Sequence, residues 1–133
     1  MAGRYLIDTD VLIEYLRGSE PAARFLEGLE ADLLISAISV AELFSGAKGS
    51  EELTALDQFM LAFEVIPVDE RLARHGGTLR QEYHPSHGVG LADALIAASA
   101  MASGAELLTF NKRHYPMLEN VRVPCRRRSG RSL

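Results

Sequence analysis

The chain has 133 residues, 47% hydrophobic and 24% charged, a balance that suits one folded domain and excludes a disordered or low-complexity chain. Its longest strongly apolar stretch, residues 91–102, is broken by Asp93 and falls short of the ~20 apolar residues that span a bilayer, so no membrane helix is expected. The net charge of −4 hides an asymmetry: five of the 14 basic residues lie from Arg122 onward, and the body before them holds nine basic residues against all 18 acids, too acidic for broad phosphate-backbone binding by charge alone.

Tyr5-Leu6-Ile7 reads as a short strand ending at Asp8, and Val11, Leu12, Ile13, Tyr15 and Leu16 then follow helical spacing up to Gly18. A second helix is expected over 20–29, with Pro21 in its first turn and Phe25, Leu26 and Leu29 as the buried stripe. Leu33-Leu34-Ile35 is the next strand. Ser39 is expected to open a third helix closed by Gly46 or Gly49, and 52–63 to form a fourth with Leu53, Leu56, Phe59 and Met60 inward. Val65-Ile66 is a strand candidate, 69–83 a helix, 85–90 a loop, and an alanine-rich helix starts at Leu91. Leu107-Leu108-Thr109 is a strand, 111–115 a turn with a short helix, and Val121-Arg122-Val123 a last strand. The single Cys125 excludes an internal disulfide and a thiolate metal site, leaving oxygen and imidazole as metal donors. The N-terminus lacks the apolar core and cleavage signal of a secretory peptide, so the cytoplasm is the expected location.

Short apolar strands separated by helices imply parallel strands with right-handed crossovers and helices on both faces. Ligands of such sheets lie beyond the carboxyl ends of the strands. That rule places Asp8, the residues after Ile35 and those after Thr109 on one rim.

Three acids stand out near that rim. Asp8 is either the cap of the following helix or a ligand held on a rigid edge, and Asp10 is ambiguous. Glu42 closes Ser39-Val40-Ala41-Glu42, which matches a capping box, a role compatible with turning toward a metal. Asp93 sits among apolar and small residues, where an unpaired carboxylate calls for a partner such as a cation. Together they make an oxygen-rich site suited to Mg²⁺ or Mn²⁺, ions that phosphodiester hydrolysis uses to activate water and stabilise developing charge.

With these residues the chain resembles the PIN-domain family, and within it the VapC-type toxins. Leu6-Ile7-Asp8-Thr9-Asp10-Val11-Leu12-Ile13, Ser39-Val40-Ala41-Glu42-Leu43, Leu91-Ala92-Asp93-Ala94-Leu95-Ile96-Ala97-Ala98 and Leu108-Thr109-Phe110-Asn111-Lys112-Arg113-His114-Tyr115 look like the family's four motifs, in its order and spacing. The resemblance implies a three-layer α/β/α sandwich with a central parallel sheet of four to five strands over residues 1–123, and leaves 124–133 as a basic, flexible tail. It implies an RNA-cleaving toxin with Asp8 and Asp93 as principal metal ligands, Glu42 as the third carboxylate, and Asn111 among the catalytic residues. It also implies a homodimer and a cognate antitoxin, whose basic segment would suit the acidic body. Many relatives have an acid where this chain has His114, which puts a second metal in doubt. His114, Lys112 and Arg113 are candidate RNA contacts or ordinary exposed side chains. Two rival readings are a haloacid-dehalogenase-like phosphatase using Asp8-Thr9-Asp10, for which the later acidic pair is missing, and a non-catalytic module that keeps the fold.

Overall fold

The computed structural model describes residues 3–125. The element order is β1 (Gly3–Ile7), α1 (Thr9–Leu16), α2 (Glu20–Glu27), β2 (Ala31–Ser36), α3 (Ala37–Ser45), α4 (Gly49–Met60), β3 (Glu64–Ile66), α5 (Glu70–His87), α6 (Leu91–Ser103), β4 (Glu106–Leu108), a 3₁₀ turn (Lys112–His114) and β5 (Val121–Arg122). Five parallel strands form one sheet in the order β3-β2-β1-β4-β5. The expected tail lies outside the described residues from residue 126 onward, including Arg126, Arg127, Arg128 and Arg131.

Each central strand carries an apolar pair because both of its faces are covered. Leu6, Leu34 and Leu107 face a core built with Leu72 and Leu79 of α5 and with Ala94, Ile96 and Ala97 of α6. The next residue of each strand, Ile7, Ile35 and Leu108, faces the opposite core with Val11, Leu12, Leu26, Leu43 and Leu56 of α1 to α4. Helices on both faces therefore give the three-layer α/β/α sandwich. Full burial of each such side chain stabilises by ~1.5–3 kcal/mol. No described helix is long and apolar enough to cross a membrane.

Several boundaries differ from the sequence expectation. The third helix is capped by Ser36, whose hydroxyl accepts from Ile38 N, and Ser39 lies inside it fully buried, so the Ser39–Glu42 capping box does not form. Strand β2 runs straight into α3, which leaves no room for the cap three residues later. The fourth helix starts at Gly49 and ends at Met60, and Leu53 remains 43% exposed because α4 packs through Leu56, Phe59 and Met60. The region expected as a loop over 85–90 is helical to His87, with Pro85 in the last turn and Gly88 closing the helix in the left-handed region. A proline there removes one bond, to the carbonyl of the exposed Gln81, and the turn survives.

Helices α5 and α6 meet where α5 has no side chain. A Cβ built on Gly76 would stand 2.5 Å from Leu95 Cδ2 and 3.2 Å from Leu95 Cα, whereas one on the neighbouring Gly77 would meet nothing within 4 Å. The two glycines should respond oppositely to alanine. Gly77→Ala is expected to stabilise by up to ~1 kcal/mol through helix propensity, and Gly76→Ala to destabilise by about 1 kcal/mol as overpacking outweighs the same gain. Urea melts of both variants check the pair; equal signs would refute it.

Candidate active site

The sheet order reverses at β1, whose successor β2 lies on one side and β4 on the other, so the carboxyl ends of β1 and β4 flank a crevice. Asp8 and Thr109, the residues that follow those two strands, meet there. Asp8 N donates to Leu108 O at 2.9 Å, which extends the ladder by one residue and fixes the Asp8 backbone.

Asp8 is only 6% exposed. It caps α1 by accepting from Thr9 N on Oδ1 at 2.8 Å, while Oδ2 accepts from Thr109 Oγ1 at 2.7 Å and from the Tyr115 hydroxyl at 3.0 Å. The capping role is thus filled by Oδ1, while Oδ2 accepts from two hydroxyls at the crevice. Burial raises the Asp8 pKa above the ordinary carboxylate value; the Thr109 and Tyr115 hydrogen bonds pull the other way, and the nearby Asp93 charge adds to the rise.

Asp93 stands in the first turn of α6, with Oδ1 3.3 Å from the Tyr115 hydroxyl and Oδ2 3.4 Å from His114 Nδ1. Tyr115, 2% exposed, is held far above the usual phenol pKa by burial and then by the charges of Asp8 and Asp93, so its hydroxyl stays a donor. Glu42 lies on the same wall, one step further out. Its Oε1 is 2.6 Å from Thr9 Oγ1, which is also 2.7 Å from Ser39 Oγ. A hydroxyl has one proton, and the carboxylate takes it as the stronger acceptor; the Ser39 hydroxyl then turns its own proton to Thr9.

Asp10 does different work. Its Oδ2 accepts from Phe110 N at 3.1 Å and from Asn111 Nδ2 at 3.2 Å, tying α1 to the loop after β4. Asn111 N in turn donates to Thr109 Oγ1 at 3.0 Å, which leaves the Thr109 proton for Asp8. Asn111 therefore meets Asp10 and Thr109 rather than the three acids. Lys112 and Arg113 are exposed beside the crevice on the 3₁₀ turn.

The structure thus joins Asp8 to Asp93 through one hydroxyl and Glu42 to Asp8's neighbour Thr9. Among the described residues, no three His, Cys, Asp or Glu side chains are already gathered closely enough to hold a metal. The donors in reach are nonetheless hard oxygens carrying like charges, one of them almost fully buried, which is the chemistry a small divalent cation satisfies. The sequence reading leaves Asp10 ambiguous and does not include Tyr115, Thr109, Thr9 or Ser39 in the cluster. Thr109 had a signal, since it ends a strand on the expected rim. Tyr115 had a weaker one, a hydroxyl on an aromatic next to His114.

The profile of the PIN domain matches residues 5–118. The chain belongs to the PIN domain family. Ribonuclease VapC10 of Mycobacterium tuberculosis is 38% identical to this PIN domain chain over an alignment covering 90% of it and 91% of VapC10. Ribonuclease VapC19 of the same organism is 40% identical, with 90% and 98% covered. Among solved structures, a toxin–antitoxin complex from Klebsiella pneumoniae superposes on this PIN domain with a TM-score of 0.79 at 29% identity, covering 91% of this chain and 98% of that one.

Proposed function

We propose that the chain is a divalent-metal-dependent endoribonuclease acting as the toxin of a toxin–antitoxin pair. The observation that carries this reading is the meeting of Asp8 and Asp93 at one buried hydroxyl in the crevice beyond β1 and β4. The names of the relatives supply the substrate class, RNA, and the solved neighbour supplies an antitoxin partner. The acidic body is suited to a basic antitoxin segment, a homodimer is the assembly, and the cytoplasm the location.

Asp8 and Asp93 would hold the cation, Mg²⁺ or Mn²⁺, with Glu42 as the third carboxylate. When bound, such an ion supplies the acidity that makes water a nucleophile at neutral pH and the positive charge that stabilises the phosphoryl oxygens in the transition state. The chain's own residues do the rest. Thr109 and Thr9 N hold the Asp8 carboxylate, Thr9 holds Glu42, and Asp10 with Asn111 fixes the loop that carries Thr109. Lys112 and Arg113 meet the RNA phosphates from the rim, and His114, whose Nδ1 is 3.4 Å from Asp93 Oδ2, contacts the scissile phosphate.

The test is incubation of the purified protein with total cellular RNA, with and without Mg²⁺, followed by mapping of fragment ends. Discrete ends that appear only with the metal are the expected result. Intact RNA in both arms would replace this reading with that of a non-catalytic module, and equal cleavage in chelator would remove the metal.

A further inference from the structure

We propose that Tyr115 is a positioning residue whose hydroxyl sets the separation and orientation of the Asp8 and Asp93 carboxylates for a divalent cation. The inference rests on the reading of those two acids as its ligands.

An ionised carboxylate offers about four lone-pair sites. On Asp8, Thr9 N takes one on Oδ1, and Thr109 and Tyr115 take both on Oδ2. The carboxylate plane is thereby fixed, and the remaining lone pair lies on Oδ1. Without Tyr115 the Oδ2 side would be held by Thr109 alone, and the group would be free to tilt. The same hydroxyl lies 3.3 Å from Asp93 Oδ1, so its proton sits between two negative charges that otherwise repel across the crevice.

The hydroxyl is itself rigidly placed. The ring is packed in the α5–α6 core, and the backbone is pinned by Tyr115 N donating to Lys112 O and Leu118 N donating to Tyr115 O, at 3.0 and 3.1 Å. Packing alone would be served by phenylalanine. A buried tyrosine hydroxyl needs a partner, and here both partners are the candidate ligands.

Tyr115→Phe keeps the ring and removes only this hydroxyl. Titration calorimetry with Mn²⁺ on the native chain and the variant is the direct test. Groups that orient metal ligands are typically worth 10- to 100-fold in affinity, so the variant is expected to bind Mn²⁺ about tenfold more weakly or worse. Its RNA cleavage should recover at saturating Mn²⁺, the loss appearing in the half-saturating concentration rather than in the plateau rate. A second measurement needs no variant. The chain has four tyrosines and no tryptophan; Tyr5 and Tyr15 make their hydroxyl contacts elsewhere, with Arg122 and Glu27, and Tyr83 sets its ring edge-on to His87. Adding Mg²⁺ to the native protein should therefore shift the tyrosine absorbance. Equal Mn²⁺ affinity in Tyr115→Phe, or native protein that binds Mg²⁺ with no tyrosine shift, overturns the role of Tyr115 and leaves the metal site standing. Absence of Mn²⁺ binding by the native chain overturns the metal reading itself, and this inference with it.

Discussion

Asp93→Asn should lose RNA cleavage by about two orders of magnitude or more, while its melting temperature in chelator stays level or rises. On the proposed reading of Asp93 as a metal ligand, its loss forfeits several kcal/mol of metal-supplied charge stabilisation, and each 1.36 kcal/mol is tenfold in rate, about two orders or more in all. The stability effect runs the other way. Asp93 repels the buried Asp8, and the variant removes that repulsion while keeping an amide oxygen for the Tyr115 hydroxyl. Against this stand the half-buried contact to His114 and the favourable place of an acid in the first turn of α6, the latter ~0.3–1 kcal/mol. If the proposed site holds the ion, the native chain should gain melting temperature in millimolar Mg²⁺ and the variant should not. Melting curves with chelator and with Mg²⁺, beside an RNA assay, read all three effects. A variant that cleaves normally would remove Asp93 from the chemistry.

Thr109→Val is expected to be the most damaging conservative change to metal-free stability in the site, by about 2 to 4 kcal/mol at neutral pH. Valine nearly matches threonine in shape, so the fully buried position stays filled. What disappears is the donor to Asp8 Oδ2 and the acceptor for Asn111 N. The loss should depend on pH with a definite sign. Asp8 is an acid whose folded pKa is raised, so the native state holds its proton more tightly than the unfolded chain, and stability falls as pH rises from about the ordinary 3.8 through the folded value. Removing a hydrogen bond to the ionised form raises the folded pKa further. The penalty of Thr109→Val should therefore be smaller below pH 3.8 and grow as Asp8 ionises. Denaturant melts of both proteins in chelator, from acid to neutral pH, would show the gap widening; a gap independent of pH would assign the loss to packing instead.

Much of this molecule was legible before the structure, and the reason differs by element. The pairs Leu6-Ile7, Leu34-Ile35 and Leu107-Leu108 are apolar on both faces of a period-two chain, which only a covered parallel strand explains, and all three are strands of the central sheet. Asp8 and the residues after Thr109 could be placed on one rim because strand polarity fixes where a strand's carboxyl end points; Thr109 itself joins that rim because β4 ends one residue early, at Leu108. The helix limits were less legible. Ser39-Val40-Ala41-Glu42 is a sound capping box in isolation, but the cap went to Ser36 because β2 turns directly into α3, and the box's two side chains were drawn to Thr9 instead. The stretch 85–90 reads as a loop for its two glycines and lack of apolar spacing, yet the helix runs on to His87, because Pro85 in a last exposed turn removes a single bond.

The sequence by itself determined the parallel α/β architecture and the rim on which Asp8 stands, because these follow from periodicity and strand direction along the chain. Only the tertiary structure decided which groups meet. Asp8 and Tyr115 are 107 residues apart and Asp10 and Asn111 are 101 apart, and their hydrogen bonds exist because the sheet order sets β1 beside β4. Contacts of that separation leave no periodic trace in the chain, since each partner satisfies local rules equally well without the other. The division of labour between Asp8, which faces the crevice, and Asp10, which holds the loop, is settled by which way two neighbouring carboxylates point from the start of one helix, a matter of packing and not of spacing.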